Sequence, residues 1–198
     1  MRFVYIHGFA SSPQSRKARA FEAALAERDI GLEIPAMDEG DFEHLTISGQ
    51  LALLERVIDG QPVCLIGSSM GGYLAALYAY LHAEVDRLVL MAPAFGFAPR
   101  WKARIVEDAD IEVYHYGDNT TRHVHYGLIE DALQFPASPA FGQHALIFHG
   151  LNDDVVPVEY SREVAARQPN ARLVELDSDH ELLDVLPRII VQAVDFLK

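Results

Sequence analysis

The sequence predicts an α/β fold: a mainly parallel sheet of about six strands, helices on both faces, and a small insertion over the carboxyl ends of the strands. Three observations predict it. Short apolar runs alternate with segments of helical period along most of the chain. One of those runs, at residues 62–66, is continuously apolar, as a strand covered on both faces should be. The 198 residues, half of them hydrophobic, suit one domain with one core, so residues 1–198 are read as a single unit.

The elements follow in order. Phe3 to Ile6 is a β-rich run ending at His7-Gly8. Arg16 to Arg28 places Ala18, Phe21 and Leu25 on one helical face, and Gly31 to Pro35 reads as a second, weaker strand. Ile47, Leu51, Leu54 and Ile58 form a helix stripe behind Thr46, a suitable N-cap. Pro62 to Ile66 is the third strand, followed at once by the stripe Met70, Leu74, Leu77 and Leu81. Arg87 to Met91, His144 to Phe148 and Arg172 to Leu176 complete the strands. Pro157 and Pro187 open the last two helices, since proline fits a first turn, and the terminal stripe includes Ile190, Val194 and Leu197. Residues 93–142 break this rhythm and are read as an insertion or small lid.

Composition excludes several classes. A formal charge of −13 argues against nucleic acid, which needs a basic face to replace counterions, and against anionic membrane surfaces. No apolar run reaches the length of a spanning helix, and no signal peptide precedes the first strand. The single cysteine, Cys64, forms no internal disulfide, so a reducing, cytoplasmic setting is expected. Asn119-Thr120-Thr121 matches a glycosylation sequon that has no meaning without secretion. Phosphate-binding glycine motifs are missing, so no cofactor is expected.

The segment Gly67-Ser68-Ser69-Met70-Gly71-Gly72 has the form G-x-S-x-G between a strand and a helix, the context in which that pattern presents a nucleophilic serine. A serine on so tight a turn holds a strained backbone, and flanking glycines let neighbouring backbone pass close. Ser69 occupies the centre of the pattern; Ser68 lies one residue early, and Cys64 sits within an apolar strand, where a thiol is structural. A serine nucleophile needs a base, and the base an orienting acid, in chain order Ser, Asp or Glu, His. After the fifth strand comes His149-Gly150-Leu151-Asn152-Asp153-Asp154; after the sixth, Asp177-Ser178-Asp179-His180. Both fall at the sheet edge where open α/β folds bind ligands. The acid is assigned to Asp153, with Asp154 as the alternative, and the base to His180. His149 reads as a turn residue and His144 as a strand opener. The oxyanion donors are expected to be the N–H groups of Met70 and Phe9, with Ala10 as the alternative to Phe9 and His7 bracing that loop.

With these residues in place the chain resembles the α/β-hydrolase superfamily and, within it, the small YqiA/YcfP-type esterases. The likeness rests on Tyr5-Ile6-His7-Gly8-Phe9, Ser11-Ser12-Pro13, Ser15-x-Lys17-Ala18, Gly67 through Tyr73, Ala92-Pro93-Ala94, the acid loop and the terminal Asp-His-Glu-Leu. It implies hydrolysis of a small-molecule carboxylic ester by a serine acyl-enzyme route without a cofactor, carried by Ser69, Asp153 and His180. One departure from the family is Asp177-Ser178-Asp179 before the base, whose carboxylates should favour the protonated imidazole and bear on the operating pH.

Other signals are weaker. His180-Glu181-Leu182-Leu183-Asp184 imitates a zinc-protease motif but ends in Asp where His is required, so no metal is expected there. His115, His123 and His125 read as solvent-facing residues of a hairpin rather than a metal site. The chief reading is therefore an ester or thioester hydrolase. A peptidase or amidase on the same machinery, and a binding module that lost the chemistry, are the rivals; the oligomeric state is left open.

Overall fold

In a computed structural model, residues 1–107 and 109–198 are described. The chain begins with β1 (Arg2–Ile6), α1 (Arg16–Ala26), α2 (Ile47–Ile58), β2 (Val63–Ser68), α3 (Met70–Leu81) and β3 (Val85–Met91). It continues with α4 (Phe97–Lys102), a hairpin of β4 (Ile111–His115) and β5 (Thr120–Val124), and α5 (Gly127–Ala132). It closes with β6 (His144–Gly150), α6 (Val158–Arg167), β7 (Ala171–Leu176) and α7 (Leu186–Leu197). Five strands form a parallel sheet in the order β1-β2-β3-β6-β7, and β4 pairs with β5 as a separate antiparallel ribbon.

Side chains alternate across a strand, and here both sets are apolar because both faces are covered. Val4, Ile6, Leu65, Leu88, Leu90 and Ile147 pack on one face with Leu54 of α2, Leu74 of α3 and Val164 of α6. Phe3, Tyr5, Cys64, Ile66, Val89 and Phe148 pack on the other with Phe21 of α1 and Ile189 of α7. Helix α3 is buried on nearly every side, which accounts for its near-continuous apolar sequence. The cap expected at Thr46 is present, accepting from the Gly49 N–H at 3.0 Å, and Ser15 caps α1 in the same way through the Ala18 N–H.

The strand expected over Gly31–Pro35 is reduced to one bridge pair, Val4 with Glu33, at the β1 edge. Glu33 exchanges hydrogen bonds with Phe3 and Tyr5 (2.9 and 2.8 Å), and Pro35, lacking an N–H, cannot extend the ladder. The sheet thus has five full strands, with this bridge standing for the sixth. Pro157 precedes α6 as its N-cap residue, while Pro187 lies in the first turn of α7 as expected.

The 93–142 stretch carries α4, the hairpin and α5. Its Phe97, Val124 and Leu128 join the core, and Ser48 of α2 bonds Asp131 at α5. The hairpin reaches the carboxyl edge of the sheet, where the Tyr116 N–H donates to the Ala10 carbonyl at 2.7 Å. The expectation that His115 faces solvent does not hold. It is buried at the end of β4, its ring edge-on to Phe42, its Nδ1 3.0 Å from Asp118. The hairpin packs onto the 40s loop and so covers this residue. His123 is exposed on β5, and His125 lies beyond the strand with Nδ1 2.8 Å from Asp110.

Candidate active site

In a parallel sheet every strand ends at the same edge, so the loops after β1, β2, β6 and β7 meet there. Ser69 follows β2 with φ 54° and ψ −119°, a left-handed backbone that a non-glycine residue holds only under strain. The surroundings enforce it. Ser69 N–H donates to the Met91 carbonyl at 2.9 Å, and its own carbonyl accepts from Ala94, Gly72 and Tyr73. The flanking glycines are sterically required. A Cβ on Gly67 would lie 2.3 Å from the Gly71 carbonyl oxygen, and one on Gly71 would lie 2.0 Å from that of Ile6. The turn thus presses α3 against the end of β1.

The loop after β1 runs along Ser69. A Cβ on Gly8 would be 3.3 Å from the Ser69 Cβ. His7 is buried and spans this loop, receiving the Met37 N–H at Nε2 (3.2 Å) with Nδ1 3.0 Å from the Gly8 carbonyl. Burial pushes its pKa down, which suits a neutral ring accepting at Nε2. Phe9 packs against Phe42 and, edge-on, against Trp101 of α4. Ala10 takes a positive φ of 54°.

His180 comes from the loop after β7 and Asp153 from the loop after β6. His180 Nε2 lies 3.0 Å from Ser69 Oγ, and His180 Nδ1 lies 2.7 Å from Asp153 Oδ2. Asp153 Oδ1 accepts the N–H groups of Val155 and Val156 at 2.9 and 2.7 Å. Asp154 is exposed and is not the residue facing the imidazole. A carboxylate beside Nδ1 places the hydrogen there and leaves Nε2 free to accept from the serine hydroxyl. The Asp153 side chain is wholly shielded from solvent. Burial opposes its ionised form, but hydrogen bonds from His149, His180 and Val156 outweigh this and hold the carboxyl well below the usual carboxylate range.

The two loops are tied to each other. Leu151 N–H donates to the Leu176 carbonyl and Asn152 N–H to that of Ser178, prolonging the β6–β7 pairing past the strand ends. Gly150 lies where they cross; a Cβ there would meet the Ser178 and Asp179 carbonyl oxygens at 2.4 and 2.5 Å. The carboxylates before His180 are structurally engaged. Asp177 accepts from the Asn152 amide, Asp179 accepts the N–H groups of Glu181 and Leu182, and Ser178 bonds Asp184. Lys17 of α1, nearly buried, donates to the Glu181 carbonyl at 3.0 Å and so holds this loop from the other face.

Sequence reading passed over His149 and Lys17. A histidine four residues before the acid was the available signal for the first. Lys17 was visible only as part of a short motif, because its partner lies 164 residues away. Among the described residues no group of three or more His, Cys, Asp or Glu is arranged to hold a metal ion. Among the same residues no helix is long and apolar enough to cross a membrane.

Comparison with known proteins extends these observations. The profile of an uncharacterised protein family (UPF0227) matches residues 2–198. Among solved structures, α/β hydrolase domain-containing protein 10 from mouse superposes with a TM-score of 0.83 at 20% identity, over 98% of this chain and 88% of that one. Est1E from Butyrivibrio proteoclasticus with ferulic acid bound gives 0.79 at 19% identity, over 98% and 88%. A monoacylglycerol lipase from Paleococcus ferrophilus gives 0.71 at 15% identity, over 96% and 93%. At these identities the likeness establishes the fold they share.

Proposed function

This chain belongs to the uncharacterised family UPF0227 within the α/β hydrolases, and from that premise we propose that it is a serine hydrolase of carboxylic esters or thioesters acting through an acyl-enzyme. The observation that carries the proposal is the unbroken hydrogen-bonded series from Asp153 through His180 to Ser69 Oγ at a strained turn. His180 Nε2 takes the hydroxyl proton as Ser69 Oγ bonds to the substrate carbonyl carbon. The oxyanion that forms is received by the backbone N–H groups of Met70 and Phe9, each such donor lowering the barrier by about 3 kcal/mol. His180 then gives its proton to the departing alcohol or thiol, leaving the acyl group on Ser69. Water, deprotonated by His180, attacks that acyl carbon, and the proton returns to Ser69 as the acid leaves. Throughout, Asp153 keeps the imidazole oriented and balances its transient positive charge.

Ester rather than amide substrates are favoured because structures sharing this fold over nearly the whole chain include a monoacylglycerol lipase and a protein holding ferulic acid, a carboxylic acid. Replacement of Ser69 by alanine is the test. Turnover of p-nitrophenyl esters should fall at least about 10⁴-fold, covalent labelling by a fluorophosphonate should vanish, and the thermal transition should be unchanged. Turnover surviving in a folded Ser69→Ala protein would refute the proposal.

A further inference from the structure

Asp153 is held by two imidazoles, and only one of them leads to Ser69. His149 closes β6 with no exposed side-chain surface, and its Nε2 lies 3.1 Å from Asp153 Oδ2, the oxygen that also receives His180 Nδ1. The same Nε2 is 2.9 Å from the Val156 carbonyl, and Nδ1 is 2.7 Å from the hydroxyl of Ser161, itself fully buried on α6. Nε2 therefore faces two groups that can only accept, so it carries a hydrogen; in the neutral ring Nδ1 accepts and Ser161 donates. Both ends of the ring are fixed by partners of opposite character.

We propose that His149 is a positioning residue for the acid, extending the series to Ser161–His149–Asp153–His180–Ser69. The inference rests on the serine-hydrolase reading above. A carboxylate offers four lone-pair sites. Oδ1 receives Val155 and Val156, Oδ2 receives His180, and the His149 Nε2–H, bonded to the Val156 carbonyl, lies against Oδ2 at 3.1 Å, so each side of the carboxylate is contacted. Without His149, one site on Oδ2 is left empty in a dry environment, and the carboxylate can tilt away from Nδ1. The other charged groups around this pair are Lys17 from α1 and Arg100 from α4, which act on Asp153, and Glu175 of β7, which acts on His149. All remain in the variants below.

The experiment compares His149→Phe, His149→Gln and Ser161→Ala with the unaltered protein on p-nitrophenyl esters. Rates are expressed per site titrated by a fluorophosphonate, so that misfolded molecules drop out. His149→Phe should lower kcat about 10- to 100-fold with KM within about twofold, the loss expected for one hydrogen bond to a charged group. Gln, whose amide can donate to Oδ2, should recover part of kcat, and Ser161→Ala should show a smaller loss in the same direction. A His149→Phe protein with wild-type kcat per titrated site overturns the inference, as does a Gln variant no better than Phe. If the Phe variant does not fold, an unchanged kcat in both other variants overturns it equally. These outcomes leave the Ser69 assignment standing, whereas turnover surviving in Ser69→Ala removes both.

Discussion

At the scale of single residues, the site turns on which of two adjacent carboxylates meets His180. Asp153 Oδ1 caps the turn it starts by accepting the Val155 and Val156 N–H groups, and this aims Oδ2 at the imidazole. Asp154 follows in the chain but points to solvent. Asp153→Asn presents an amide that can stabilise the wrong tautomer, so kcat for ester hydrolysis should drop by about 10⁴. Asp154→Asn should leave it within about twofold, and steady-state kinetics on the two variants checks both. Ser69 and His180 were legible because a glycine-flanked serine and a histidine after the last strand are local patterns. His149 was not, because its role depends on a buried hydroxyl twelve residues on and on how the loop folds back. A turn histidine and a fully enclosed one read alike in sequence.

At the scale of elements, strand β2 and its turn combine two constraints of different origin. Cys64 lies inside β2, and burial pushes its thiol up to about 11, so at pH 8 it stays protonated and shielded. Iodoacetamide should modify it only after denaturation, which mass spectrometry of native and unfolded protein would show. Gly71 sits at the start of α3 with the Ile6 carbonyl oxygen 2.0 Å from where a Cβ would be. Gly71→Ala must therefore push β1 and α3 apart, and it should destabilise the protein by at least about 3 kcal/mol, the upper range for forcing atoms into a packed interior. A lowered thermal midpoint would register this. Strand and helix positions were readable from apolar runs and stripes. The stretch at Gly31–Pro35 was over-read because β-rich composition does not say how many residues find a partner, and only Glu33 does. His115 was misplaced for a related reason: a short hairpin looks solvent-facing unless one knows that it lies over Phe42.

At the scale of the whole molecule, the buried carboxylate links the site to the stability of the fold. In the unfolded chain Asp153 titrates near about 3.9, while in the fold its carboxyl is held well below that range. A depressed folded value means that ionised Asp153 stabilises the fold fully above the ordinary carboxylate range. That contribution is lost as pH falls through this range toward the folded value. Thermal melts between pH 6 and pH 3 should therefore decline more steeply for the unaltered protein than for Asp153→Asn, which has no such group to protonate. The overall topology was the most legible feature, since strand–helix alternation admits few right-handed parallel arrangements. The strand order and the tie between the hairpin and the loop after β1 were hidden, being properties of three-dimensional closure. The backbone stitching of the acid and base loops has a last consequence for synthesis. Ser69 leaves the ribosome 111 residues ahead of the imidazole that stands 3.0 Å from its hydroxyl. Until β7 docks and its loop crosses Gly150, a growing chain has no imidazole beside the Ser69 hydroxyl.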